Sequence, residues 1–162
     1  MSTVSLTLDE IFDLAKKTLL ANGCDDETAS ILSDLIRNAE RDGSLSHGLF
    51  RLPAYVSGLK SGKINGKGKP EIQKVSASVI KVKGNSCLAP VVLNKGLPEL
   101  AKAAKENGVA VLAINNSHHM AAMWPETEKL AEEGLVAFAC TSYKPAVAPA
   151  GAIKPLFGTN PI

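Results

Sequence analysis

Aromatic residues are scarce in this sequence: four Phe, two Tyr and one Trp make up 4% of 162 residues. That argues against a surface that stacks nucleic-acid bases. No charge excess compensates, because 18 Lys and Arg against 16 Asp and Glu leave a formal net charge of +2 at pH 7. The basic side chains are also scattered, apart from Lys60, Lys63, Lys67 and Lys69 in a Gly-rich stretch that reads as an exposed linker. A nucleic-acid partner is therefore not expected. No run of about eighteen apolar residues occurs, so no membrane-spanning helix and no membrane partner are expected. The start, Met1-Ser2-Thr3-Val4-Ser5, lacks the basic opening and apolar stretch of a secretory leader. Cysteine is limited to Cys24, Cys87 and Cys140, with no Cys-x-x-Cys pair. Free thiols in a reducing compartment follow, and with them a cytoplasmic location. Also missing are a Gly-x-Gly-x-x-Gly after a strand and a Walker loop, which argues against an ordinary Rossmann or P-loop nucleotide site.

What is present is the balance of a globular protein, 45% hydrophobic against 21% charged. Thr7 and Glu10 form a capping box that opens a helix over 7–22, with Leu8, Ile11, Phe12, Ala15 and Leu19 on one face. A second helix starts near Asp25 or Asp26 and turns Ala29, Leu32, Leu35, Ile36 and Ala39 inward, ending near Asp42-Gly43. The apolar stripes of this pair are expected to need further partners. A third helix is predicted from Ser46 to about Ser61, with Pro53 marking either a kink or a late start. Strands are predicted over 72–75 and 78–82, then a helix over 90–107 and a strand over 109–114. A helix over 120–133 and a strand over 135–140 complete the pattern. The fold class is α/β (α+β), with a helical region 1–69 preceding a β/α region 70–162. The last residues, Leu156 to Ile162, are apolar and read as though the chain should continue.

Three constellations could carry chemistry. If Ser46 caps the third helix, His47 lies in its first turn and Arg51, four residues on, shares its face. A His that moves a proton beside an Arg that grips a carboxylate suits a small keto or imino acid. The alternative is that His47 decorates a cap and Arg51 solvates a helix. The second constellation is Asn115-Asn116-Ser117-His118-His119-Met120, after the best strand and before a helix, a place suited to anions or nucleotides. Adjacent His residues point in different directions and no Cys or carboxylate stands at ligand spacing, so no metal site is expected. Met120, Met123 and Trp124 at helical spacing read as core. The third is the Gly- and Pro-containing stretch around Thr159-Asn160, where backbone can approach a ligand or simply turn.

Taken together, three ordered segments resemble the malate/L-lactate dehydrogenase family of NAD(P)H-dependent oxidoreductases. They are Glu40-Arg41-Asp42-Gly43-Ser44-Leu45-Ser46-His47-Gly48-Leu49-Phe50-Arg51, Ser117-His118-His119-Met120-Ala121-Ala122-Met123-Trp124-Pro125, and Pro155-Leu156-Phe157-Gly158-Thr159-Asn160-Pro161. The Ser-His-His and Trp-Pro pattern is most similar to the delta-1-piperideine-2-carboxylate/delta-1-pyrroline-2-carboxylate reductase branch. The resemblance runs through nearly the whole chain.

The resemblance implies a non-Rossmann cofactor fold, a homo-oligomer (a dimer), and NADPH, with NADH possible, as reductant. It implies a relay serine at Ser46, a proton donor at His47, and a substrate-carboxylate ligand at Arg51. Thr159 matches a further substrate contact. His119, Met120, Ala121, Ala122 and Met123 match a segment lining the cofactor site, and in other branches the residue equivalent to His119 is the catalytic proton acceptor. The implied reaction reduces a cyclic imino acid to L-pipecolate or L-proline. The alternatives are a malate- or lactate-type 2-hydroxy acid dehydrogenase and a non-catalytic assembly module. The family's relay aspartate and further cofactor contacts follow the Gly-Thr-Asn-Pro motif. The chain is thus expected to be an N-terminal, truncated part with little activity alone.

Overall fold

A computed structural model describes residues 4–118 and 121–162. The chain forms two compact units, one running to Ala122 and one spanning Met123–Ile162. The compositional boundary at 69/70 falls inside the first.

The first unit opens with α1 (Leu8–Ala21) and α2 (Asp26–Arg41). The Thr7 hydroxyl accepts from the Glu10 N–H at 3.2 Å, and the Glu10 carboxylate accepts from the Thr7 N–H at 2.8 Å. The predicted capping box is thus present, and it holds the Glu10 carboxyl below the usual carboxylate range. Asp25 caps α2 by accepting from the Thr28 N–H at 2.9 Å. Ile11, Ala15 and Leu19 of α1 and Ala29, Leu32, Ile36 and Ala39 of α2 are buried. Six of these seven belong to the cluster that also contains Ile80, Val82, Leu88 and Val92. The further partners that the two stripes are expected to need are thus supplied by the sheet region of the same unit.

Two departures follow from proline. Residues 45–51 form two short 3-10 turns, Leu45–His47 and Leu49–Arg51, and α3 spans Leu52–Lys60 with Pro53 in its first turn. Pro53 marks a late start, because a proline lacks the N–H that only the helix interior needs. In the second unit, α5 spans Trp124–Glu132 and not 120–133, with Pro125 at its start for the same reason.

After α3 the Gly-rich stretch is not a free linker. Ile64, Gly66 and Gly68 are buried. The Asn65 N–H donates to the Ser86 carbonyl at 2.9 Å, and the Gly66 carbonyl accepts from the Asp25 N–H at 3.0 Å. Lys69 pairs with Asp25 and Glu27 at 3.0 and 3.1 Å. Small residues let this strip lie against the α1–α2 corner: a Cβ at Gly66 would meet the Gly23 carbonyl at 2.9 Å.

β1 (Glu71–Lys74) pairs antiparallel with β2 (Val79–Lys83), and β2 pairs parallel with β3 (Val111–Asn115), giving the order β1-β2-β3. The parallel pair needs a crossover, which α4 (Ala89–Asn107) supplies. Gly96 lets α4 approach the sheet, since a Cβ there would meet Leu112 and Val82 side chains at 2.9 and 3.3 Å. Gly108, at φ +80°, ends α4. In the second unit the predicted strand 135–140 is absent: these residues form no helix and have no ladder partner among the described residues, and Val136 and Phe138 are exposed. Apolar composition marks a segment that would gain from burial, but a strand exists only when another pairs with it.

Candidate active site

The first unit concentrates its candidate groups on the segment that leaves α2. Ser44 donates its N–H to the Ala39 carbonyl at 2.8 Å, which turns the chain back on the helix end. Ser46 does not cap α3 as expected; it lies in the first 3-10 turn beside His47. There its Oγ stands 2.9 Å from His47 Nδ1, with Ser44 Oγ at 3.4 Å from the same atom. A hydroxyl donating to Nδ1 leaves the proton of a neutral imidazole on Nε2. Ser46 and His47 are thus in contact within a turn that stands in place of the expected helix cap.

Arg51 closes the second turn, its N–H donating to the Gly48 carbonyl at 2.9 Å. Its Nε is buried and has no hydrogen-bond partner. A buried guanidinium nitrogen left unpaired costs about 1–3 kcal/mol, and an incoming carboxylate would cancel that cost through a charge-assisted bond. This is an orphaned donor at the position expected to bind a substrate anion.

Sequence reasoning missed two neighbours. Tyr55, one helical turn beyond Arg51, is fully buried. Burial pushes its phenol up to about 12, against the opposing pull of the Arg51 guanidinium, so it stays a neutral donor. Its signal was the i, i+4 spacing from Arg51 along the buried side of α3. Glu40, on α2, accepts the Leu49 N–H on Oε1 at 2.7 Å. It begins the segment 40–51, but nothing in the spacing assigns it a contact nine residues away.

The second constellation divides. His118 is committed to the fold. Its N–H donates to the Cys87 carbonyl at 3.0 Å, its carbonyl accepts from the Ala89 N–H at 2.8 Å, and Nε2 lies 2.9 Å from the Lys63 carbonyl. A carbonyl only accepts, so Nε2 carries the proton there, and His118 ties the end of β3 to the Gly-rich strip. The expectation that polar groups here serve an anion is therefore corrected for His118. His119 and Met120 lie outside the described residues. Ala121 is half-buried and Ala122 buried.

The segment after Asn115 leaves the carboxyl end of the parallel β2/β3 pair, the edge at which parallel sheets bind ligands. It is packed tightly: a Cβ at Gly84 would meet Ser117 Cβ at 2.7 Å and the Asn116 carbonyl at 2.8 Å. Residues 117–123 carry no carboxylate, Lys or Arg. Met123 opens the second unit. Thr159 lies in that unit and is exposed, between Gly158 and Asn160. The Asn160 side-chain oxygen accepts from the Tyr143 N–H at 3.0 Å, and a Cβ at Gly158 would collide with the Tyr143 carbonyl. The third constellation thus folds back on 143–147.

Comparison with known proteins supplies the wider setting. The sequence pattern described as malate/L-lactate dehydrogenase matches residues 6–162. The chain is 41% identical over 160 residues to a Delta(1)-pyrroline-2-carboxylate/Delta(1)-piperideine-2-carboxylate reductase of Pseudomonas syringae pv. tomato, covering 99% of this chain and 47% of that protein. It is 42% identical over 161 residues to the reductase of the same name from Pseudomonas putida, again covering 99% and 47%. The chain therefore spans about half the length of the curated relatives it matches. Among solved structures, the delta1-piperideine-2-carboxylate reductase from Pseudomonas syringae superposes with a TM-score of 0.90 at 40% identity, over 98% of this chain and 48% of that one. Malate dehydrogenase from Pyrococcus horikoshii superposes with a TM-score of 0.86 at 30% identity, over 98% and 45%.

Proposed function

The chain belongs to the malate/L-lactate dehydrogenase family, and we propose that the whole protein is a reductase that converts a cyclic imino acid, delta-1-piperideine-2-carboxylate or delta-1-pyrroline-2-carboxylate, to L-pipecolate or L-proline. The observation that carries this reading is the buried, unpaired Nε of Arg51 on the same short segment as the Ser46–His47 contact. An anion-binding guanidinium and a proton carrier so close in sequence match a substrate whose carboxylate adjoins the bond to be reduced. The names of the Pseudomonas reductases at 41% and 42% identity support it.

The division of labour follows the compositional boundary. Residues 1–69 handle proton and carboxylate, and residues 70–162 begin the cofactor site. A dehydrogenase family implies a nicotinamide cofactor; NADPH is the form proposed here and NADH the alternative. When bound, the reduced nicotinamide supplies the hydride that reduces the C=N carbon. His119, Met120, Ala121, Ala122 and Met123 would hold it. Arg51 fixes the substrate carboxylate, with Thr159 as a second substrate contact. The bonding pair released by reduction settles on the substrate nitrogen, which takes its proton from His47 Nε2. Ser46 returns a proton to Nδ1, and its exposure lets solvent replace that proton. His119 as proton acceptor is the variant assignment for a keto acid. A homodimer and a cytoplasmic location belong to the same proposal; exposed Leu45 and Phe50 support association. Among the described residues no helix is long and apolar enough to cross a membrane.

The test is NADPH oxidation by the whole protein with piperideine-2-carboxylate, pyrroline-2-carboxylate, pyruvate and oxaloacetate. Turnover of the two imino acids is expected. Turnover of the keto acids alone would establish the 2-hydroxy acid dehydrogenase. Association without turnover of any of the four would establish the assembly module.

A further inference from the structure

The two 3-10 turns that carry Ser46, His47 and Arg51 are three residues each, and neither is capped by its own N-terminal residue. Such turns have poor hydrogen-bond geometry and little stability of their own. A ring that must present one nitrogen to a substrate needs its backbone held from outside. The end of α2 does this twice. The Ala39 carbonyl takes the Ser44 N–H at 2.8 Å, three residues before His47, and Glu40 Oε1 takes the Leu49 N–H at 2.7 Å, two residues after it. The two bonds bracket the imidazole. Their anchor is rigid, since Ile36 and Ala39 are buried. A carboxylate on a backbone N–H at this distance is the charge-assisted, stronger kind of bond.

Gly48 is what lets the carboxylate in. It is buried, and a Cβ there would collide with the Glu40 carboxylate. The only residue between His47 and Leu49 is thus the one without a side chain, and Glu40 occupies the vacated space. We propose that Glu40 is a positioning residue for the reaction assigned above, holding the Leu49 N–H so that His47 keeps its Nδ1 on the Ser46 hydroxyl. This rests on the reading of His47 as proton donor.

The test begins with nitrogen NMR on the 162-residue chain, where no catalysis is needed. Glu40→Ala should speed exchange of the Leu49 amide by about tenfold or more, as for any amide released from a local bond. It should also move the His47 Nδ1 resonance. Glu40→Gln keeps a side-chain oxygen at the same reach, so both signals should stay near wild type. In the whole protein, Glu40→Ala should lower kcat by about tenfold, with substrate KM within about threefold, because a misplaced proton donor affects chemistry more than binding. Glu40→Gln should restore most of it. Unchanged Leu49 exchange and His47 resonance in Glu40→Ala would overturn the proposal, as would a Gln variant no better than Ala. If the NMR signals respond as stated but wild type turns over no imino acid, the anchoring stands and the assigned reaction falls.

Discussion

The roles proposed for Arg51 and His47 depend on different properties, so their replacements should separate. Lysine at position 51 keeps a positive charge but loses the planar fork that can pair a carboxylate through two bonds. With a charge-assisted bond worth about 1.5–3 kcal/mol, Arg51→Lys in the whole protein should raise KM by roughly ten- to a hundredfold and leave kcat within a fewfold. His47→Ala removes the proposed proton carrier and should lower kcat by about two to four orders of magnitude with a smaller effect on KM. Steady-state kinetics on both variants checks the pair. Equal losses in kcat and KM for the two would mean that they act only by holding the turn. Ser46, His47 and Arg51 could be read from the sequence because they lie within six positions of one another, so any local geometry keeps them close. Glu40 and Tyr55 could not, because the first acts through a backbone group nine residues away and the second matters only once its ring is buried beside a guanidinium.

At the scale of elements, local chemistry predicts where helices begin better than where strands pair. Thr7 with Glu10 and Asp25 with Thr28 are short-range contacts; the first is the expected capping box, and the second opens α2 where the sequence places its start, near Asp25 or Asp26. At α5 the apolar spacing back to Met120 is the misleading signal and Pro125 the sound one, since a proline is cheap only at a helix start. The strand expected at 135–140 failed for a nonlocal reason, the lack of a partner among the described residues. The α2 cap allows a quantitative test. Burial works to raise the Asp25 carboxyl, but the Thr28 N–H and hydroxyl and the Lys69 ammonium together hold it below the ordinary carboxylate value. Its folded-state pKa being depressed, the stabilisation is complete above the unfolded value near 4 and is lost as pH falls through the folded value. Asp25→Ala should cost about 1 kcal/mol at pH 7, within the range for lost helix caps. Asp25→Asn keeps an acceptor for the Thr28 N–H and removes the titration. Urea unfolding at pH 7 and pH 3 should therefore show a smaller acid loss for Asn than for wild type. An equal loss in both would show that Asp25 does not carry this acid sensitivity.

Across the whole chain the two units differ in how their apolar residues are covered. The first buries a continuous cluster from Ile11 to Ala103. Among residues of the second, only Glu126 and Leu130 are buried, while Val136, Phe138, Ile153, Leu156 and Ile162 are exposed. A segment of this size without a core of its own has little to offset the entropy of ordering it. It should therefore open more readily than the first unit, and proteolysis measures that opening. Chymotrypsin offers a matched pair of sites. Phe50 is 73% exposed and Phe138 is 77% exposed, so access to the side chain does not distinguish them. Cleavage needs the flanking backbone drawn out of its hydrogen bonds as well. Phe50 sits in a 3-10 turn followed directly by α3, with Leu49 bonded to Glu40 and Arg51 to Gly48. Phe138 lies outside any helix or ladder. Limited digestion followed by mass spectrometry should give cuts after Phe138 and Tyr143 first, leaving a resistant fragment that retains Ser46, His47 and Arg51. Cleavage after Phe50 at the same or an earlier time would show that the turn carrying those residues is no better held than the exposed segment, and that the anchoring of the site to α2 is ineffective.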